Sequence, residues 1–159
     1  MKKIPLTQNK YALVDDGDYE YLSEFKWYYQ NTLRGRFEYA NRYIKHKGNK
    51  RQTILSMHRD LLQAKRGQYC DHVDGNGLNN RRNNIRLCTQ SQNRMNSKAR
   101  SNNLSNFKGV SWHKQSKRWQ VYILNKYIGL FDSKEAAAKE YNKQAKKHFR
   151  EFAKLNLLL

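Results

Sequence analysis

Tyr69-Cys70-Asp71-His72-Val73-Asp74-Gly75 is the stretch whose reading decides this fold, followed by Asn84-Ile85-Arg86-Leu87 and Thr89-Gln90-Ser91-Gln92-Asn93. Residues 69–73 read as a strand, 74–83 as a loop rich in Gly and Asn, and 85–88 as a second strand. Thr89 with Gln92 three residues on forms a capping box, so a helix is expected to open at Thr89 with Asn93 in its first turn or just beyond. Adjacent strand residues point to opposite faces, so Asp71 and His72 do not share one flat surface. A twisted ββα hairpin that folds its helix across the strands still brings the Asp71 carboxylate near Asn93. A carboxylate and an amide oxygen are the donors a hard divalent ion takes, and a histidine deprotonates water near neutral pH. Activated water, with a cation where charge builds on the phosphate and the leaving oxygen, is what phosphodiester hydrolysis requires. Asp71-His72 alone reads more simply as a polar loop with a satisfied core histidine. The ordered set Asp71, His72, Gly75, Asn84, Arg86, Thr89 and Asn93 is far more specific.

Upstream, residues 1–66 read as a small β-rich region. Tyr11-Ala12-Leu13-Val14 is a short strand, and Asp15-Asp16-Gly17-Asp18 reads as a turn; the acidic cluster lacks the spacing and terminal Glu of a calcium loop. Trp27-Tyr28-Tyr29, Phe37 to Ile44 and Arg51 to Leu55 are strand-like, with a basic turn over 45–50 between the last two. Ser56 is placed to cap a short helix from Met57 to Leu62.

The chain of 159 residues carries 32 Lys+Arg against 13 Asp+Glu, a formal net charge of +19. That excess is more than solubility requires and points to a polyanion partner, above all nucleic acid. No apolar run is long enough to span a membrane, and Met1-Lys2-Lys3 is not followed by the apolar core of a secretory signal. The expected location is therefore intracellular and cytoplasmic, with access to DNA. Cys70 and Cys88 are read as core thiols, since a zinc ribbon needs four ligands at paired spacing.

Downstream, residues 97–107 are small and polar and read as a linker, centred on 101–107, that buries too little apolar surface to fix a conformation. Strands follow at Gly109 to Trp112, Arg118 to Ile123 and Lys126 to Phe131. Trp119, Val121 and Ile123 share one face of the second, with Arg118, Gln120 and Tyr122 on the other. Asp132 or Ser133 caps a helix from Lys134 to about His148. Its apolar stripe is Ala137, Tyr141 and Ala145, flanked by Ala138 and Phe149; Lys139, Lys143, Lys146 and Lys147 lie on the opposite face, which reads as a solvated face ahead of one in direct phosphate contact.

The stretch from Asp71 through Leu87, closed by Gln92-Asn93 and preceded by Met57-His58-Arg59, resembles the HNH endonucleases, also called His-Me finger or ββα-metal nucleases, in their homing and phage-borne branch. The resemblance implies His72 as general base, Asp71 and Asn93 as ligands of one divalent ion (magnesium or manganese), and Asn84 as the residue that holds the loop and orients His72. The third position of the motif is Asn93 instead of His, and an amide is a weaker ligand for transition metals, which disfavours zinc. His58, Arg59, Arg81, Arg82 and Arg86 are candidate DNA contacts, the arginines as phosphate clamps and His58 in a structural or DNA-contacting place. Residues 107–156 resemble the APETALA-two/ethylene-response-factor DNA-binding domain, through Gly109, Trp112, Trp119, Gly129, the Ala136-Ala137-Ala138 run and Asn156. That resemblance implies three antiparallel strands in a DNA major groove with a helix behind them, and Lys108, Ser111, His113, Lys117, Arg118, Gln120 and Tyr122 facing DNA.

The expected fold class is α+β: a β-rich region at 1–66, a ββα-metal core at 67–100, the linker, and a three-stranded sheet with one packed helix at 108–159. The expected function is a metal-dependent, site-specific endonuclease of homing type acting on double-stranded DNA. As a monomer or weak dimer it would nick one strand per active site. The alternative is a non-catalytic DNA-binding protein on a degenerate nuclease fold.

Overall fold

A computed structural model describes residues 1–32, 37–45, 52–100 and 102–158. The expected basic turn over 45–50 lies, beyond Lys45, outside the described residues. The chain forms two compact units, Met1–Gln90 and Ser91–Leu159. Strand pairing within every sheet is antiparallel, and the mixture of small sheets and short helices accords with an α+β class.

In the first unit β1 (Lys2–Pro5) pairs with β2 (Tyr11–Val14). The hairpin turns through Gln8 and Asn9 at φ 60° and 53°. Next comes α1 (Asp16–Ser23). The acidic run is thus the N-terminus of a helix and not the turn that was expected. Asp16 and Asp18 in the first turn complement the helix dipole, and Asp15 and Asp18 are claimed by arginines from farther along the chain. The central sheet has the order β3 (Tyr28–Thr32), β4 (Phe37–Lys45), β5 (Gln52–Ser56), and leads directly into α2 (Met57–Leu61). The hairpin β6 (Tyr69–His72) and β7 (Ile85–Cys88) closes the unit.

One apolar core gathers Ile4, Ala12, Val14, Leu22, Trp27, Tyr29, Ala40, Met57, Leu61 and Ile85. Trp27 Nε1 donates to Leu22 O at 2.8 Å, which satisfies the one polar atom of a buried indole. Arg42 lays its guanidinium over Phe25, 3.8 Å from the ring centroid, and donates to Asp60 Oδ2 from both Nε and Nη2. The loop 74–83 is sewn onto this core. Leu13 N donates to Leu78 O and Asn80 N donates to Leu13 O, each at 2.8 Å, a short parallel bridge between β2 and the loop.

The second unit holds all but the first residue of α3 (Gln90–Met95), then β8 (Val110–His113), β9 (Arg118–Ile123), β10 (Lys126–Phe131), α4 (Lys134–Phe149) and a 3-10 turn at Arg150–Phe152. The sheet order is β10-β9-β8. Ser133 caps α4 by accepting from Ala136 N at 3.1 Å. The helix buries Ala137, Ala138, Tyr141, Ala145 and Phe149 against Val110, Val121 and Ile123, with Met95 and Phe107 packed on the same core. Gly109, at φ +74°, sits where a Cβ would run into the Tyr141 ring.

The segment expected as a linker without fixed conformation is instead knotted by its own polar groups. Ser105 is fully buried. Its hydroxyl accepts from Phe107 N at 3.0 Å and lies 2.7 Å from Asn103 Oδ1 and 2.8 Å from Val110 O. Asn156 clasps the far end, accepting from Lys108 N at 2.7 Å and exchanging hydrogen bonds with Asn142 at 2.7 and 2.8 Å. Composition read these residues as too polar to pack, but a hydroxyl and two amides replace the missing apolar burial with saturated hydrogen bonding.

Two stability outcomes follow, both read by thermal unfolding of the full chain. Gly77→Ala places a Cβ against the Glu38 carbonyl oxygen and 2.9 Å from Tyr39 Cδ1, an overpacking expected to cost about 1–3 kcal/mol. Ser105→Ala leaves the half-buried Phe107 N without its acceptor and removes the hydroxyl's contacts with Asn103 and Val110, and is expected to cost about 1–3 kcal/mol; an unchanged midpoint for either variant contradicts the packing described.

Candidate active site

Asp71 and His72 are the last two residues of β6, and both are buried. Alternation along the strand sends them to different neighbours. Asp71 faces its cross-strand partner Arg86, which donates to Asp71 Oδ2 from Nε at 3.1 Å and Nη2 at 2.8 Å. His72 turns toward two aromatic rings and an amide. Its ring centroid lies 4.7 Å from that of His58, edge to face at 68°, and 6.2 Å from that of Tyr39. Its Nε2 lies 3.2 Å from Asn80 Oδ1. An amide oxygen only accepts, so this contact puts the imidazole proton on Nε2 and the lone pair on Nδ1. Burial pulls His72 below the usual histidine range, against the opposing pull of the Asn80 bond and of Asp74 and Asp71. The ring is therefore held in its neutral, proton-accepting form.

The loop that carries Asn80 is built on amide chemistry. Gly75 takes a positive φ of 75° and donates to His72 O, which turns the chain sharply after the strand. Asn84 Oδ1 accepts from Asp74 N at 3.0 Å, and its Nδ2 donates to Asp74 Oδ1 at 3.0 Å and Asn79 O at 2.7 Å. Asp74 also accepts from Asn76 N at 2.7 Å and Asn79 Nδ2 at 2.8 Å. Burial opposes its charge, but these donors outweigh it and hold the carboxylate below its usual range. Asn84 thus ties the loop together, while the side chain that bonds His72 is Asn80, a residue the sequence reading did not single out. Its only signal was a doubled Asn79-Asn80 within a loop. Tyr39, equally unforeseen, comes from β4.

The four arginines expected as phosphate clamps are engaged within the first unit. Arg59 donates to Gln68 O at 2.8 Å and Lys65 O at 3.0 Å, bracing the turn from α2 to β6. Arg81 pairs with Asp15, and Arg82 grips Asp18 at 2.7 and 2.9 Å and reaches Leu61 O. Arg86 holds Asp71. A guanidinium fork matches carboxylate oxygens and carbonyl clusters, and the fold uses that match here. His58 is only 8% exposed, with Tyr39 and His72 against its ring. Burial, with His72 and Arg59 adding to it, pulls His58 down to about 3.

Asn93 lies on α3, in the second unit. Among the described residues no group of three or more His, Cys, Asp or Glu could hold a metal ion. In that second unit the register sets Ser111 opposite Gln120, His113 opposite Arg118 and Tyr122 opposite Tyr127. These side chains share the face turned away from buried Val110 and Val121. Gln120 Nε2 donates to Ser111 Oγ at 3.1 Å, and Lys117 occupies the turn between β8 and β9. Lys108, expected on that face, is elsewhere. Its ammonium donates to Arg94 O and Met95 O at 3.1 and 2.6 Å, capping the end of α3, and burial, with Lys154 nearby, lowers it to about 8. No helix among the described residues is long and apolar enough to cross a membrane.

No protein-family model matches the chain, and no solved structure does. Protein 3.8 of Escherichia phage T7 is 42% identical to it over 55 residues, which is 35% of this chain and 46% of the phage protein, so the chain covers less than half of that relative's length. The uncharacterized HNH endonuclease L560 of Acanthamoeba polyphaga mimivirus is 29% identical over 148 residues, 92% of this chain and 74% of the viral protein. The likeness to the mimivirus protein is distant and supports an HNH nuclease at most; neither relative supports the APETALA-two likeness of residues 107–156.

Proposed function

We propose that the chain is a metal-dependent DNA endonuclease of the HNH kind that nicks duplex DNA at a preferred site. One observation carries this reading above the rest: His72 is a buried, neutral imidazole whose Nε2 is fixed on Asn80, in a loop locked by Asn84, directly after Asp71. The ordered motif, the net charge of +19 and the likeness to the mimivirus protein support the same reading.

The chemistry follows from the residues. Asn80 holds the proton on Nε2, so Nδ1 is the atom that takes a proton from the attacking water. The neutral state imposed by burial keeps that lone pair ready at physiological pH. Asp71 supplies the carboxylate oxygen that suits a hard divalent ion, magnesium or manganese, which takes one or two protein carboxylates and completes its shell with water and phosphate oxygens. For Asn93 the motif alone speaks: it assigns an amide ligand. A bound divalent ion would supply positive charge to the phosphate and to the departing 3′-oxygen. Arg86 supplies the positive charge beside the buried Asp71 carboxylate. In this reading the outward face of β8, β9 and β10, carrying Ser111, His113, Arg118, Gln120 and Tyr122 with Lys117 at its turn, positions the chain on DNA.

A second reading rests on the Asp71–Arg86 ion pair. It occupies the carboxylate a metal needs, as expected of a DNA-binding protein that has kept the fold and lost the chemistry.

Incubation with plasmid DNA, with and without magnesium, separates the two. A nuclease converts supercoiled to open-circular DNA only with the metal, and His72→Ala lowers that rate about 10²–10⁴-fold without weakening DNA binding. Absence of metal-dependent nicking across a broad set of DNA, with binding intact, favours the second reading. Asn80→Ala removes the acceptor on a buried Nε2–H and is expected to destabilise the chain by about 1–3 kcal/mol and to slow nicking. Nicking at the wild-type rate by this variant would remove Asn80 from the account.

A further inference from the structure

The polar segment ahead of β8 forms one wall of a cleft in the second unit. The cleft has a volume of about 500 Å³, within the range of about 300–1,000 Å³ that small ligands occupy. Its other wall is β8, an outer strand of its sheet. Tyr122 N donates to Gly109 O, so Gly109 bonds toward β9. Val110 turns its backbone the other way, with its N donating to Phe107 O and its O 2.8 Å from Ser105 Oγ. Alternation along an antiparallel strand sends the backbone N–H and C=O of Trp112 to that same outer side. The facing wall is held by Asn103, which donates to Phe107 O at 2.8 Å and accepts from Ser105 N at 2.9 Å. Leu104, between these anchors, stands 87% exposed at the rim.

The charge on this lining has one sign. Lys98, Arg100 and Lys114 are exposed along it, and no Asp or Glu is among the described residues that line it. None of the three cations is in an ion pair among the described residues. Arg118, on the outward sheet face, is by contrast matched by Asp132 at 2.8 Å. Lys108 also lines the cleft, but its ammonium is taken up by Arg94 O and Met95 O. Beside the cations is Trp112, 41% exposed, its indole steadied edge to face by Trp119 with 5.0 Å between centroids. Cations gathered without a counter-charge attract phosphodiester groups, and an exposed indole offers a base its flat face. In a duplex the flat faces of the bases are covered by their neighbours. An indole and three cations in one cleft therefore suit an unpaired strand.

We propose that this cleft holds one unpaired strand of DNA, with phosphate against Lys98, Arg100 and Lys114 and a base stacked on Trp112. A nick frees a strand end of this kind, so the inference adds to the nuclease reading a place for the freed strand. It rests on that reading only for DNA as the partner.

The test measures binding by the full-length chain without divalent ions, so that no cutting is needed. Fluorescein-labelled oligo-dT, oligo-U and duplex DNA of the same length are followed by anisotropy over a series of potassium chloride concentrations. Wild type is expected to bind oligo-dT at least as tightly as oligo-U. Trp112→Ala is expected to weaken oligo-dT binding about 10-fold, the loss of one stacked base, with duplex affinity nearly unchanged, and Trp112→Phe to restore most of the loss. The triple variant Lys98→Gln, Arg100→Gln, Lys114→Gln is expected to lower the slope of log affinity against log salt for oligo-dT by about 2, as three phosphate contacts on a single strand require. A control triple variant, Lys139→Gln, Lys143→Gln, Lys147→Gln, removes the same charge from α4 and is expected to lower that slope by less than half as much. Each variant is confirmed folded by its circular dichroism. Oligo-dT carrying 5-iodouracil is also photo-cross-linked to wild type, which decides the matter if Trp112→Ala does not fold; the cross-link is expected on Trp112. The cleft is overturned if oligo-dT does not bind, if folded Trp112→Ala binds it as wild type does, or if the cross-link maps outside residues 97–114. Equal losses in the two triple variants overturn it in favour of net charge alone, and tighter binding of oligo-U overturns it in favour of an RNA partner. A chain that binds oligo-dT through Trp112 and nicks nothing keeps the cleft and loses the nuclease reading. One that nicks with magnesium while Trp112→Ala binds oligo-dT as wild type does loses the cleft alone.

Discussion

Polar groups buried in a loop must find partners or the loop unfolds, and this requirement shapes the centre of the first unit. Residues 74–84 carry few apolar side chains, yet Asn80 is fully buried and Asn84 nearly so. The loop holds its shape because Asn84 engages Asp74 and Asn79 through both ends of its amide, and because the backbone of β2 takes up Leu78 and Asn80. His72 inherits its orientation from this arrangement. Each such bond is worth on the order of 1 kcal/mol net, but leaving a member unpaired costs more than that, so the set behaves as a unit.

The charge of the chain divides into two populations. Net positive charge is large, but the arginines closest in sequence to the motif are spent on Asp15, Asp18, Asp71 and a cluster of carbonyl oxygens. The acidic residues at the start of α1 therefore serve as counterions for loop arginines 64 and 66 residues farther along the chain. In the proposed function the attraction of this net positive charge to DNA weakens with salt.

Much of this was legible in the sequence. The positions of strands β2 to β10 and of helices α2 to α4 lie close to those expected from alternation and helical periodicity, and the buried stripe Ala137, Tyr141, Ala145 follows from helical spacing. Asp71, His72 and Asn84 stood out by type and order. Other features were not readable, for identifiable reasons. Helix α1 hides behind an acidic run that scores as a turn, because its stabilising partners Arg81 and Arg82 lie far along the chain. The 102–107 segment looks too polar to pack, because local patterning does not show that Ser105 finds three partners. Asn80 and Tyr39 reach His72 from a loop and from another sheet, and no periodicity encodes a meeting across elements. Arginine type alone does not distinguish a phosphate clamp from a structural fork.

The parallel bridge between β2 and residues 78–80 has a consequence for how such a motif travels between proteins. The ββ hairpin is contiguous in sequence and looks like a portable cassette. Its loop, however, is anchored to a strand near the amino terminus, and Arg82 crosses to α1. A graft of residues 67–95 into a foreign scaffold would bring the named side chains but not the trellis on which they are trained. The supports of the loop are spread over the compact unit Met1–Gln90.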